Sequence, residues 1–189
     1  MTYFPVKYKP EFTDDMVPTF IEYQNVIDEH MAAEIINLAT SHDGWHRRGS
    51  KSSLIDASFT TTLLHDTEHP IYQIMDDLWK KATLEYKVDI DFVEVYEVKE
   101  YLTGDKFNWH VDTHDRIDVS IDRKLNVIVQ LSLPDSYEGG ELHVKDSTAS
   151  KSLGTAIFFP ANYRHWVTEI TSGTRYSLIG HGWGNINRR

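Results

Sequence analysis

The sequence predicts a mainly β protein with flanking helices (α+β): an antiparallel double sheet, or jelly roll, with the N-terminal helices packed on one sheet. Three observations carry this. Apolar residues recur at helical spacing only in the first half of the chain. From Phe92 onward they fall in short strand-like runs: FVEVYEV, FNWHVD, LNVIVQLSL, ELHV, TAIFF, HWVTEI and RYSLIGHGW. Gly104, Pro134, Gly139, Gly140, Gly154, Pro160 and Gly173 punctuate these runs. Helices followed by many short strands fit helices laid on one outer face of a double sheet. An eight-stranded closed barrel is the second arrangement.

Taken in order, residues 1–18 read as an arm, 19–90 as a supporting region and 91–185 as the core of a single domain covering 1–189. Phe20 to Ile27 reads as a strand. Asp28 can cap a helix, its carboxylate accepting from exposed first-turn amides. Met31, Ile35, Leu38 and Ala39 form that helix's apolar face. Ser41 to Ser53 is polar, contains Gly44 and Gly49, and reads as a loop. Ser58 to Leu64 looks extended. A second helix begins near Pro70, which suits a first helical position, with Ile71, Ile74, Met75, Leu78 and Ala82 as its core face. In Leu125–Leu133, Leu125, Val127, Val129, Leu131 and Leu133 share one face, and Asn126, Ile128, Gln130 and Ser132 the other. The two helices can cover the apolar face. The polar face looks either into a polar pocket or into water.

The composition narrows the function classes. The 189 residues carry a formal net charge of −10, are 40% hydrophobic and contain no Cys. The apolar content fits a globular protein and argues against disorder. The negative balance weighs against nucleic acid and an anionic membrane surface as partners. Without Cys there are no disulfides, thiolate nucleophiles or iron–sulfur clusters, so any metal site uses His and carboxylates. Neither a signal-peptide core nor a run of about 20 apolar residues is found. The expectation is a soluble, cytoplasmic protein.

His110 and Asp112 lie two apart in FNWHVD, and on a strand such positions share a face. An imidazole and a carboxylate can thus converge on one metal ion. His165, in FFPANYRHW, supplies a third donor. Two His and one carboxylate with open positions make the facial triad of non-haem iron(II) oxygenases, although the same set can hold zinc. Arg175, in RYSLIG, shares a strand face with Ser177. A guanidinium deep in a sandwich needs an anionic partner. A co-substrate carboxylate would satisfy it in a bidentate pair, with the Ser177 hydroxyl assisting. An exposed Arg near the C-terminus is the plainer alternative.

At these residues the sequence resembles the iron(II)- and 2-oxoglutarate-dependent dioxygenases, most closely the prolyl 4-hydroxylase branch. The matching text is Y-x-x-G-x-x-F-x-x-H-x-D from Tyr101 to Asp112, then GGEL from Gly139 to Leu142, then His165, Arg175 and Trp183 in order. The resemblance spans roughly residues 91–183. It implies a double-stranded β-helix of the cupin-like kind. It implies His110, Asp112 and His165 as iron ligands and Arg175 on the distal carboxylate of 2-oxoglutarate. Tyr101 would lie beside the co-substrate, and Gln130 falls where some prolyl hydroxylases place a Tyr on that carboxylate. Many prolyl 4-hydroxylases have Lys where Arg175 stands. The cofactors implied are Fe(II), 2-oxoglutarate and O2, with ascorbate a candidate reductant. The activity implied is hydroxylation of an unactivated C–H, with succinate and CO2 as co-products.

Other features are decoys on this reading. His110 and His114 form H-x3-H, but on a strand end His114 should face solvent. His143 and His181 can face the pocket or water. His30, His42, His46, His65 and His69 read as surface or capping residues. His46, Arg47, Arg48 and Lys51 read as a solvated loop, although Trp45, Arg47 and Arg48 could fold over a peptide. Trp183 reads as packing. The leading substrate is a prolyl residue of a peptide or protein; a free amino acid or other small molecule is the second. A non-catalytic metal-binding jelly-roll module is the reading from another class.

Overall fold

The computed structural model describes residues 4–5, 17–41, 46–51, 56–64, 66–114 and 120–185, with backbone alone for 4–5, 46–51 and 56–58. The chain runs β1 (Phe4–Pro5), β2 (Ile21–Tyr23), α1 (Glu29–Thr40), β3 (His46–Lys51), β4 (Asp56–Leu63) and α2 (Ile71–Tyr86). The β region follows: β5 (Phe92–Val93), β6 (Glu97–Leu102), β7 (Lys106–His110), β8 (Ile121–Gln130), a 3-10 turn (Pro134–Ser136), β9 (Tyr137–Gly139), β10 (Leu142–Val144), β11 (Ser147–Thr148), β12 (Ala156–Pro160), β13 (His165–Val167) and β14 (Ile170–Asn185).

Every pairing is antiparallel, along the path β11-β10-β13-β7-β4-β6-β14-β8-β12-β2. Strand β4 makes the corner between the two sheets. Its Ala57 and Ser58 pair with β7, while Thr60 to Leu63 pair with β6. One strand thereby joins a small sheet (β11-β10-β13-β7) to a large one (β6-β14-β8-β12-β2). This is the expected jelly roll.

The period-two alternation of β8 sorts its side chains between two cores. Leu125, Val127 and Val129 are fully buried with Ile35 of α1 and with Met75, Leu78 and Trp79 of α2. The helices thus cover the outer face of the large sheet. Asn126, Ile128 and Gln130 turn the other way, into the space between the sheets. There Phe59, Tyr101, Ile128, Leu142, Phe159 and Val167 form a second core. The polar face of β8 therefore lines a pocket and does not meet bulk water.

Asp28 caps α1 as expected, its Oδ1 accepting from the Met31 N–H at 2.9 Å. Pro70 precedes the first residue of α2, and the His69 Nδ1 accepts from the Ile71 N–H at 3.2 Å. His69 is thus a capping residue.

Several local expectations are corrected. The strand expected over Phe20–Ile27 is only Ile21–Tyr23, because Asn25 turns the chain with φ 56°. On α1 the buried positions are Ala32, Ile35 and Ala39, whereas Leu38 is exposed. The polar stretch 41–53 is not simply a loop. Its HRRGSK segment, lacking apolar alternation, becomes β3 by pairing with β4, from His46 opposite Thr61 to Lys51 opposite Asp56. Part of the N-terminal arm is also paired, Phe4 and Pro5 against Val93 and Phe92. Leu133 lies beyond the end of β8, before the 3-10 turn, and is exposed. Trp45, His42 and His65 lie outside the described residues.

The covering role of α2 sets a stability prediction. Leu78 is 6% exposed, whereas Ile74 is only partly buried. Leu78→Ala should cost about 2–5 kcal/mol through lost transfer energy and a residual cavity. Ile74→Ala should cost less. Urea unfolding measures both, and the metal affinity of folded Leu78→Ala should match wild type.

Candidate active site

His110 is the last residue of β7 and His165 the first of β13, and the ladder sets them directly opposite one another. Their rings lie 4.1 Å apart between centroids. Asp112 does not sit on a strand, as the i, i+2 argument assumed; β7 ends at His110. Its backbone is held by its N–H donating to the Ala161 carbonyl at 2.9 Å. The carboxylate nevertheless reaches both imidazoles, Oδ1 at 3.7 Å from His110 Nε2 and Oδ2 at 3.3 Å from His165 Nε2. One donor atom from each of the three residues lies within 4.8 Å of the others, and among the described residues no other such cluster is found.

The hydrogen bonds around this cluster prepare it for a cation. His110 Nδ1 lies 2.8 Å from the Asn108 carbonyl and His165 Nδ1 lies 3.0 Å from the Tyr163 carbonyl. A carbonyl only accepts, so each Nδ1 carries the proton and each Nε2 offers its lone pair to the centre. Phe107 stacks on the His110 ring with centroids 3.8 Å apart. Burial pushes the His110 pKa down to about 4, and neighbouring His165 adds to this. Burial alone would raise Asp112, but the surrounding histidines, His165 foremost, outweigh it and hold the carboxyl well below the usual carboxylate range. Two Nε2 lone pairs and a carboxylate turned to one point make a donor set for a divalent metal.

Arg175 lies on β14 opposite Tyr101 of β6 and is 1% exposed. Its NH2 donates to Gln130 Oε1 at 3.0 Å and its NH1 to Ser177 Oγ at 3.4 Å, both neutral acceptors. Its Nε is buried with no hydrogen-bond partner. A desolvated guanidinium whose described hydrogen-bond partners are neutral fits an incoming carboxylate. Its carbon centre stands 5.3 Å from the Tyr101 ring centroid. Arg175, Tyr101 and Ser177 line the same cavity as His110, Asp112 and His165. Gln130 lies against Arg175. Its Nε2 donates to the Ser150 carbonyl at 2.9 Å while its Oε1 holds Arg175. With both ends of its amide engaged, Gln130 orients the guanidinium.

The GGEL text has a steric reason. A Cβ on Gly140, whose φ is +65°, would stand 2.4 Å from Ile170 Cδ1 and 3.0 Å from Arg175 Cδ. Glycine there leaves room for the Arg175 stem. Behind it lies buried Tyr137, which sequence reasoning missed. Burial pushes its pKa up and the charge of Arg175 pulls the other way.

Two further cavity residues went unassigned. Lys99 of β6 carries its ammonium 3.3 Å from Glu97 Oε2 and 4.7 Å from the centroid of the Phe59 ring. Burial pulls its pKa down, but the charge of Glu97 prevails and raises it. Asn126 is also in the cavity, on the polar face noted in the sequence. Period-two projection from Tyr101 would have found Lys99. His181 faces the cavity as well, and burial lowers its pKa to about 3.

The decoys separate cleanly. His143 stacks on Trp166 and bonds Thr148, away from the cavity. His114 pairs with Asp122 at 3.0 Å, its side chain 48% exposed. His30 is exposed beside Glu34. Trp183 stacks on Phe92 and donates to Glu94 Oε1 at 2.8 Å, a packing role.

Residues 96–183 match the sequence profile of the 2OG-Fe(II) oxygenase superfamily. A PKHD-type hydroxylase of Caulobacter sp. (strain K31) is 41% identical over 83 residues, 40% of this chain and 37% of the relative. One from Shewanella sp. (strain MR-7) is 35% identical over 81 residues, 40% of this chain and 36% of the relative. The match thus spans little more than a third of these relatives' length. Among solved structures, the viral collagen prolyl hydroxylase of Paramecium bursaria Chlorella virus-1 superposes with a TM-score of 0.73 at 16% identity, covering 88% of this chain and 97% of that one. A Pseudomonas putida prolyl-4-hydroxylase gives 0.64 at 17% identity, covering 86% and 91%. These likenesses show the same fold. Residues 96–183, a little under half of the chain, thus carry the sequence pattern of the 2OG-Fe(II) oxygenase superfamily. No helix among the described residues is long and apolar enough to cross a membrane.

Proposed function

We propose that this protein is an iron(II)- and 2-oxoglutarate-dependent dioxygenase that hydroxylates an unactivated C–H, with a prolyl residue of a peptide or protein as its substrate. One observation carries the reading. A His–Asp–His cluster and a buried guanidinium with no anionic partner among the described residues line one cavity. A metal-binding module without catalysis has no use for the second.

His110, Asp112 and His165 would hold the iron, each through an atom already turned to the centre. Arg175 would take the distal carboxylate of 2-oxoglutarate, with Ser177 beside it and Tyr101 flanking the chain between. Gln130 holds the guanidinium in place. Iron, when bound, supplies oxygen activation coupled to decarboxylation of 2-oxoglutarate to succinate and CO2. The apolar walls, Ile128, Phe159, Val167 and Ile179, exclude water from that chemistry.

The prolyl substrate is supported by the likeness in fold to two prolyl hydroxylases. The test incubates the protein with Fe(II), 2-oxoglutarate, ascorbate and Pro-containing peptides. Succinate release and a peptide mass gain of one oxygen are expected. Oxygen gain on a free amino acid but on no peptide would replace the substrate with a small molecule. No succinate with any substrate would overturn the reading.

A further inference from the structure

We propose that Asn126 and His181 are positioning residues for the metal centre. A hydrogen-bond chain from His181 through the Asn126 amide occupies one oxygen of Asp112 and turns the other toward the ion. The proposal rests on the reading above, that His110, Asp112 and His165 hold a divalent metal.

The polarity of the chain follows from the carboxylate outward. Asn126 Nδ2 lies 2.7 Å from Asp112 Oδ2. A carboxylate accepts and does not donate, so the amide must present its NH2 there. Its carbonyl oxygen then points the other way and meets His181 Nδ1 at 2.9 Å. That oxygen only accepts, so His181 carries a proton on Nδ1. Each link dictates the next, and no orientation is left free.

The chain is also rigid. Asn126 and His181 are register partners across β8 and β14, the centre of the large sheet. Asn126 is 1% exposed and His181 9%, so water does not compete for these bonds. Arg123 also approaches the carboxylate, its NH1 3.8 Å from Oδ1 and its NH2 held by Glu94 at 3.1 Å, and Lys99 of the same cavity is held by Glu97 at 3.3 Å. Asn126 fixes Oδ2, which also lies 3.3 Å from His165 Nε2, so the carboxylate plane is set and Oδ1, 3.7 Å from His110 Nε2, would be the oxygen offered to an ion.

The test titrates Co(II) into the metal-free protein and records affinity and the visible ligand-field spectrum. Wild type should bind one equivalent and His110→Ala should not. Asn126→Leu, close in volume, should weaken Co(II) roughly 10–100-fold, the usual cost of losing an outer-shell partner, and alter the spectrum. His181→Phe should shift both in the same direction by less. His181→Gln, whose amide can still donate to Asn126, should recover most of the wild-type behaviour. The double variant Asn126→Leu/His181→Phe should be no worse than Asn126→Leu, because the chain is already cut. General destabilisation would move neither the spectrum nor this non-additivity. Should Asn126→Leu fail to fold, His181→Phe against His181→Gln decides. Unchanged affinity and spectrum in the variants, or strictly additive losses, would overturn the proposal. Failure of wild type to bind, or equal binding by His110→Ala, would instead overturn the metal reading beneath it.

Discussion

Replacing His110, Asp112 or His165 by Ala is expected to abolish 2-oxoglutarate turnover while leaving a folded protein. Two remaining donors cannot hold iron in an open three-point geometry. The loss should exceed the roughly 10–100-fold cost of removing an outer-shell partner. Asp112→Ala should be the most severe, because it removes the only anionic donor and leaves two buried imidazoles facing one another. Folding should survive, since the three side chains converge on a cavity and both strands keep their ladders. Circular dichroism and urea unfolding check the fold, and succinate release checks turnover. Near-normal turnover of any of the three at trace iron would rule out the assigned ligand set.

Arg175→Ala is expected to retain iron and to demand far more 2-oxoglutarate. Losing a buried charged contact costs on the order of 2–5 kcal/mol. That is a rise of roughly 30- to 4,000-fold in half-saturation at about 1.4 kcal/mol per decade. Arg175→Lys should be milder. It keeps the charge but loses the planar fork that now spans Gln130 and Ser177. Gln130→Ala should fall between wild type and Arg175→Ala through misorientation of the guanidinium. Succinate release against 2-oxoglutarate concentration measures all three, with iron binding followed separately. An unchanged half-saturation in Arg175→Ala would remove the co-substrate assignment and leave a metal-binding jelly roll.

What could be read from the chain alone was local or periodic. The second helix followed from Ile71, Met75, Leu78 and Ala82 at helical spacing, and all four are buried. The two faces of β8 followed from alternation. The pocket-lining residues of β14, Arg175, Ser177, Ile179 and His181, share one parity, so Ser177 is legible from Arg175 by alternation. The H-x-D pair was legible as a motif, although Asp112 lies past the end of β7 and reaches the centre without a shared strand face.

Tertiary structure decided everything that depends on which strand lies beside which. His165 meets His110 because β13 pairs with β7 in that register, a match made by backbone hydrogen bonds that leave no mark on residue spacing. β3 is a strand only because β4 completes its ladder; nothing in HRRGSK requires it. Gln130 supports Arg175 because Ser150, from a loop, takes its other amide end. Asn126 looked like one polar residue on a polar face until β14 set His181 opposite it and the turn after β7 brought Asp112 within 2.7 Å. Side-chain chemistry and periodicity are properties of a segment and are carried by the sequence. Convergence of distant segments is a property of the ladder, and here the ladder made the site.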